Sequence, residues 1–172
     1  SNDPELIRIF EQGLDPHNET AKKAFKTDNP DKLSQRTPSR NVNFGVFYGL
    51  SAVGLMDLMA VTYATAEIDL PDWLNEQWCQ KFIDDWFDMY SGVKDYLEQQ
   101  YYRAQRYGVV WTLMGRVRRV PEVNSYHKRI RAAGLRQAAN MPIQGTGADW
   151  LKLLLGEIEE YVGKIYTTLS SV

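Results

Sequence analysis

A single cysteine, Cys79, leaves no disulfide to be made within the 172-residue chain, a usage that suits a reducing cytoplasm. It sits in an apolar helical stretch and reads as a buried, inert thiol. No run approaches the ~20 apolar residues of a membrane span, and no signal peptide opens the sequence. Internal repeats and low-complexity segments are missing too. Net charge is low, −2 with a pI near 5.7, so the average announces no nucleic-acid binder. The distribution does. Residues 57–100 carry ten acids and two lysines, whereas residues 101–137 carry nine Arg or Lys and one Glu. Such a basic stretch, interleaved with Tyr and Trp, suits phosphate contact, although it also fits a solvated face. The length suffices for one domain with a substantial core, or for a large piece of a bigger one.

The elements read as mainly α with one small β-hairpin. Asp3-Pro4 and Asp15-Pro16 each pair an N-cap with Pro at the first helical position, giving helices to Gly13 and to about Lys26. Thr27 to Leu33 is a polar connection, and Thr37-Pro38 reads as the next helix start. Ser51 to about Thr65 is helical, and Asp69-Leu70-Pro71 breaks it. Asp72 to Tyr90 shows a mostly apolar stripe at helical spacing; Ser91-Gly92 interrupts, and Val93 to Tyr107 continues as helix. Asp84 and Asp88 form a DDxxD pattern. It could hold Mg²⁺ against a diphosphate, as in prenyl-transfer enzymes, or be a solvated acidic face. No second such motif accompanies it. Val109 to Leu113 and Arg116 to Val120 flank Met114-Gly115 as a hairpin with a basic second strand. Ser125 can cap a helix to about Asn140, Met141-Pro142 breaks it, and a last helix runs from near Gln144 to about Tyr166.

The most informative stretch is RTPSRNVNFGVFYG, residues 36–49. Arg36, Arg40, Phe44 and Tyr48 recur every fourth residue, which on a helix places them on one face about 6 Å apart along the axis. Guanidiniums suit phosphate oxygens, and aromatic rings offer a face to a base. A nucleoside triphosphate would fit along this gradient; equally, Phe44 and Tyr48 could be core residues. Gly45 and Gly49 within the run require either a close approach to the backbone or the end of the helix.

RTPSRNVNFGVFYGLSAVGL closely resembles motif B of family A DNA polymerases, R-x-x-x-K-x-x-N-F-G-x-x-Y-G. Arg36, Asn43, Phe44, Gly45, Tyr48 and Gly49 match it, and Arg40 stands where the family has Lys. DPELIRIFEQGLDPHNETA resembles the stretch after motif A, with His17 where those enzymes place a His near the nucleotide's phosphates. Without the family, a lone His at a helix start is more often a surface or capping residue than a ligand. TLMGRVRRVPEV resembles T-L-x-G-R-R-R-x-x-P-[DE]; Arg116 and Arg118 match, Val117 departs, and Arg119 adds a charge. RQAANMPIQGTGADWLK resembles R-x-x-x-N-M-P-x-Q-G-T-x-A-D-x-x-K, in which Arg136, Asn140 and Gln144 match residues near the primer–template junction. On chemistry alone, Asn140 is as readily a helix C-cap and Gln144 a first-turn residue.

The resemblance implies the fingers subdomain with adjoining palm helices of a DNA-directed DNA polymerase, a nucleotidyltransferase that is cytoplasmic and of bacterial or phage type. Residues 1–172 read as one region, fingers over about 15–135 with palm-associated helices at about 1–14 and 136–172. His17, Arg36, Arg40, Phe44 and Tyr48 would bind the incoming dNTP, with Tyr48 also stacking at the templating position. Arg116, Arg118, Arg136, Asn140 and Gln144 would meet primer–template DNA. The family's two metal-bound aspartates come from motif A (D-Y-S-Q-I-E-x-R) and motif C (V-H-D-E), and neither string occurs. Catalytic and metal-binding residues are therefore expected outside this sequence, Mg²⁺ with them. Asp149 corresponds to a structural residue. The chain alone is expected to be inactive. It would be a cloned or partial piece, one member of a split polymerase completed by the palm and thumb, or a non-catalytic nucleotide- or DNA-binding module. Helix 144–166 would expose Trp150, Leu151, Leu154 and Ile158 for self-association. The closing TTLSSV matches nothing in the family pattern.

Overall fold

The computed structural model describes residues 1–169, with side chains through residue 165, so the last three residues of the TTLSSV tail and the side chains of all six lie outside what is described. It divides into two compact units, 1–99 and 100–172.

The first unit is helical. Asp3 accepts from the amides of Glu5 and Leu6 and starts α1 (Pro4–Glu11); Asp15 does the same for α2 (Pro16–Phe25) through His17 and Asn18. Here local capping chemistry decides the boundary. The next start differs from the sequence expectation. Asp31, not Thr37, caps it, taking the amides of Leu33 and Ser34. A π-helical turn, Lys32–Arg36, then runs directly into α3 (Thr37–Gly45). Thr37 donates its hydroxyl to the Lys32 carbonyl instead of capping, and Pro38 sits within a turn already formed. After Val46–Tyr48, a 3₁₀ turn, Gly49 adopts φ +71°. The amide of Leu50 reaches the Gly45 carbonyl at 2.9 Å and closes the helix in a Schellman geometry. A Cβ on Gly45 would lie 2.6 Å from the Leu50 side chain. Both glycine expectations are therefore met inside the chain: one ends the helix, the other admits Leu50.

Ser51 caps α4 (Ala52–Thr65). The helix expected from Asp72 begins only at α5 (Glu76–Met89), because Leu74 closes a turn on Pro71 and Asn75 caps Trp78. Tyr90, not Ser91-Gly92, marks the break before α6 (Ser91–Tyr107). Packing of α2 on α3 and α5, and of α4 on α3 and α5, buries Ala21, Val42, Leu55, Met59, Cys79 and Trp86. Burial raises the Cys79 thiol pKa, with Glu76 adding to the effect, as befits an inert thiol.

The second unit contains the end of α6, the hairpin β1 (Val109–Trp111) and β2 (Val117–Arg119), a 3₁₀ turn Pro121–Asn124, and α7 (Lys128–Leu169). The strands pair antiparallel, Val110 opposite Arg118. Ala104, Val110, Val120, Val123, Ala138 and Met141 form the core. The expected pair of helices broken at Met141-Pro142 is one helix with Pro142 inside it. Pro142 forfeits a backbone hydrogen bond there, about 3 kcal/mol in an isolated helix. The hairpin anchors the turn just after it: the Leu113 amide donates to Thr146 Oγ1 at 3.0 Å, and Arg116 donates to the Gly145 carbonyl at 2.8 Å. The helix also starts later than Ser125, whose hydroxyl accepts from the His127 amide ahead of it. Trp150, Leu151, Leu154 and Ile158 are exposed on its C-terminal half. Among the described residues no helix is long and apolar enough to cross a membrane.

Asp3 is 1% exposed, and its second oxygen accepts from the Gly92 amide at 2.9 Å. A Cβ on Gly92 would stand 2.7 Å from the Asp3 Cα, so Gly92→Ala forces backbone apart. We expect a loss of about 1–3 kcal/mol in chemical denaturation. An unchanged midpoint would refute this contact.

Candidate nucleotide and nucleic-acid interface

Pro38, Ser39, Val42 and Val46 turn inward from α3 and its 3₁₀ extension. The opposite side presents Arg40, Phe44 and Tyr48, each exposed, the two aromatic residues 56% accessible. The choice between core and surface is thereby decided for these aromatics. Fourfold spacing holds through Phe44, and the 3₁₀ turn carries Tyr48 past it still facing outward. The His17 ring stands beside Phe44, centroids 5.0 Å apart and planes at 53°. Four of the five residues assigned to nucleotide binding thus gather around the start of α2 and the outer side of α3.

Arg36 is the exception in kind. Its guanidinium is engaged, donating to Asp15 Oδ2 at 2.6 Å and to Asn18 Oδ1 at 2.7 Å. Asp15 serves twice, one oxygen capping α2 and the other holding Arg36. Burial pushes the Asp15 carboxyl upward, but Arg36 and the two capping amides outweigh it and hold it below its ordinary range. His17 is lowered, chiefly by burial, with Arg36 and Arg40 adding to this and Asp15 opposing it.

Behind the face lies a hub that sequence reasoning matched to a motif without giving it a role. Asn43 Oδ1 accepts from Trp86 Nε1 at 2.6 Å and from the Thr20 hydroxyl at 3.1 Å. Its Nδ2 donates to the Pro16 carbonyl at 3.2 Å and lies 3.0 Å from His17 Nδ1. Thr20 also meets the Tyr90 hydroxyl at 2.7 Å. A polar residue between buried Val42 and exposed Phe44 was the only sequence signal for it.

In the second unit, Arg136, Asn140 and Gln144 fall at fourfold spacing on the unbroken α7, an alignment that an interrupted helix would not have given. Arg136 and Gln144 are exposed and Asn140 half-buried. Arg129 and Arg136 line a cavity of about 550 Å³ with Ile130, Ala132 and Ala133. Arg118 is exposed and donates to Gln137 Oε1 at 2.8 Å. Arg116, besides Gly145, meets Asp149 Oδ1 at 2.7 Å, so much of its guanidinium is committed within the unit. Arg119, also exposed, adds to the basic strand.

A family model described as DNA polymerase family A matches residues 1–170. The chain belongs to DNA polymerase family A. DNA polymerase I of Thermus aquaticus is 38% identical over 157 residues, covering 90% of this chain and 17% of that protein. DNA polymerase I of Streptococcus pneumoniae is 33% identical over 162 residues, 93% of this chain and again 17% of the relative. Among solved structures, the POL domain of Pol1 from M. smegmatis, in complex with DNA primer-template and dNTP, is similar. It aligns with TM-score 0.75 and 30% identity over 95% of this chain and 27% of its own. This family A chain therefore spans about a sixth of the length of the curated relatives it matches.

Among the described residues, no three His, Cys, Asp or Glu side chains gather to hold a metal ion. Asp84 accepts from Gln80, and Asp84 and Asp88 are both exposed on α5, as in the solvated-face reading of the DDxxD pattern.

Asp15→Asn keeps a capping acceptor while removing the charge opposite Arg36. Because that pair is a third exposed on each side, we expect a stability loss below about 1 kcal/mol. Since Asp15 is the group that raises the His17 pKa, the His17 midpoint in an NMR titration should move further down. A rise would show the electrostatic balance to be misassigned.

Proposed function

We propose that this chain is the fingers and part of the palm of a DNA-directed DNA polymerase, and that it binds the incoming dNTP and primer–template DNA during template-directed synthesis. The single observation that carries the reading is the outward face of α3, with Arg40, Phe44 and Tyr48 exposed and His17 packed beside Phe44. Arg40 and the α2 end around His17 take the triphosphate, Arg36 joining when it exchanges Asp15 for phosphate. Phe44 covers sugar and base, and Tyr48 stacks at the templating position. Residues of about 15–135 form the fingers on this reading, and those of about 1–14 and 136–172 lie against the palm. The parent enzyme would be cytoplasmic and of bacterial or phage type.

Arg118, Arg136, Asn140 and Gln144 meet the duplex. Asn and Gln amides can bond groove-edge acceptors common to different base pairs, which tests pair shape without reading sequence. Arg116 then positions α7 through Gly145 and Asp149 as much as it meets phosphate. On this reading the donor set for Mg²⁺ is supplied by polymerase parts outside this chain. Those same parts would cover Trp150, Leu151, Leu154 and Ile158, which otherwise promote self-association.

Calorimetric titration of dGTP into the chain tests the nucleotide face. Arg40→Ala and Phe44→Ala should each weaken binding roughly tenfold, the scale of one charge-assisted bond or a lost stacking face. Both side chains are exposed, so unfolding midpoints should stay put. Unaltered affinity in both variants would sink the face. For DNA, Arg118→Ala and Arg136→Ala should each reduce the slope of log K against log salt by about 0.9. A slope unchanged in both would remove them from the DNA surface. Adding chains that carry motifs A and C should yield primer extension. Binding without extension would instead favour a non-catalytic module.

A further inference from the structure

The polar network behind the nucleotide face determines more than packing. An indole N–H can only donate, and a backbone carbonyl can only accept. Asn43 lies between one of each, its oxygen 2.6 Å from Trp86 Nε1 and its nitrogen 3.2 Å from the Pro16 carbonyl. Turning the amide over would set N–H against N–H at one end and oxygen against oxygen at the other. Its orientation is thus chemically dictated. The same Nδ2 group lies 3.0 Å from His17 Nδ1, so that ring nitrogen must present its lone pair. The proton of a neutral ring then resides on Nε2. A doubly protonated ring would drive Nδ1–H into the Asn43 N–H.

We infer that Asn43, oriented by Trp86, is a positioning residue that fixes His17 as a neutral imidazole protonated on Nε2, offering phosphate a directed N–H donor in place of a positive charge. The surroundings agree. Among the described residues no hydrogen bond occupies Nε2, and the charged groups that bear on the ring are Arg36, Arg40 and Asp15. His17 also stands in the first turn of α2, where the helix dipole disfavours a further cation. With two arginines supplying charge, a neutral donor adds geometry without more repulsion. Only the phosphate in this inference rests on the nucleotide reading above; the tautomer does not.

The test is a two-bond ¹H–¹⁵N correlation spectrum of the ¹⁵N-labelled chain at neutral pH. The sequence has two histidines, so His127→Gln assigns His17. The expected pattern is a pyridine-type Nδ1 and a pyrrole-type Nε2 in a single tautomer. A pyrrole-type Nδ1, a tautomer average or a protonated ring would overturn the inference. In Asn43→Asp, carboxylate oxygens face both Trp86 and His17. The proton should move to Nδ1 and the His17 titration midpoint should rise. A spectrum unchanged by that substitution would reduce Asn43 to a packing role and overturn its positioning one. Trp86→Phe removes the fixed donor and should bring tautomer averaging. Should that variant fail to fold, the parent and Asn43→Asp spectra still decide. Titration with dGTP should then shift the Nε2 resonances. The expected tautomer with no response to dGTP would overturn the nucleotide contact while leaving the Asn43 assignment standing.

Discussion

A carboxamide placed among helices must find two donors and two acceptors, or leave a desolvated polar atom that costs about 1–3 kcal/mol. Asn43 meets that demand by joining its own α3 to two other helices, through Pro16, His17 and Thr20 of α2 and Trp86 of α5. Because every partner is directional, the amide sets the rotation of α3 about its axis. That rotation puts Val42 into the core and Phe44 outside on consecutive sides of the same residue. The outward face of α3 is a consequence of how the inward polar hub is satisfied. The Thr20 and Tyr90 hydroxyls extend the hub towards the α5–α6 junction and tie α2 to it.

What the sequence disclosed is what local chemistry decides. Asp3-Pro4, Asp15-Pro16 and Ser51 cap their own amides within three residues, so a reader needs no tertiary knowledge to find those starts. The hairpin was legible for the same reason, with β-branched and aromatic residues on one strand and Met114-Gly115 between. Mistakes arose where distant residues intervene. Pro142 looks like a stop until Leu113 and Arg116, roughly thirty positions earlier, hold the turn that follows it. Thr37-Pro38 looks like a start until Asp31 has already opened the turn.

The site was legible to the same extent. Periodicity showed that Arg40 and Phe44 share a side, and the surface side is where they lie. Periodicity could not show that Arg36 has an acid waiting 21 positions earlier, nor that His17 would lie on Phe44. Motif resemblance supplied His17, which spacing alone left as a capping residue. Neither route pointed to Trp86, since an apolar stripe conceals one indole N–H whose partner matters.

The Arg36–Asp15 pair bears on how such a face would operate. An isolated guanidinium on an exposed helix would attract phosphate strongly, and would also attract any other anion. Held by Asp15, Arg36 gives up that attraction unless an incoming group offers more than one carboxylate oxygen and the Asn18 amide already provide. A triphosphate, multiply charged and able to take both arms of the guanidinium, meets that condition, whereas a monovalent anion does not. Arg116 illustrates the other outcome in the basic hairpin. With Asp149 and Gly145 both taking its donors, it stabilises the helix that carries Arg136 and Gln144, and the exposed charge of β2 is that of Arg118 and Arg119. Each arginine thus has an acid opposite it, and what separates them is the remaining partner: the Asn18 side chain for Arg36, and the backbone of the helix itself, at Gly145, for Arg116.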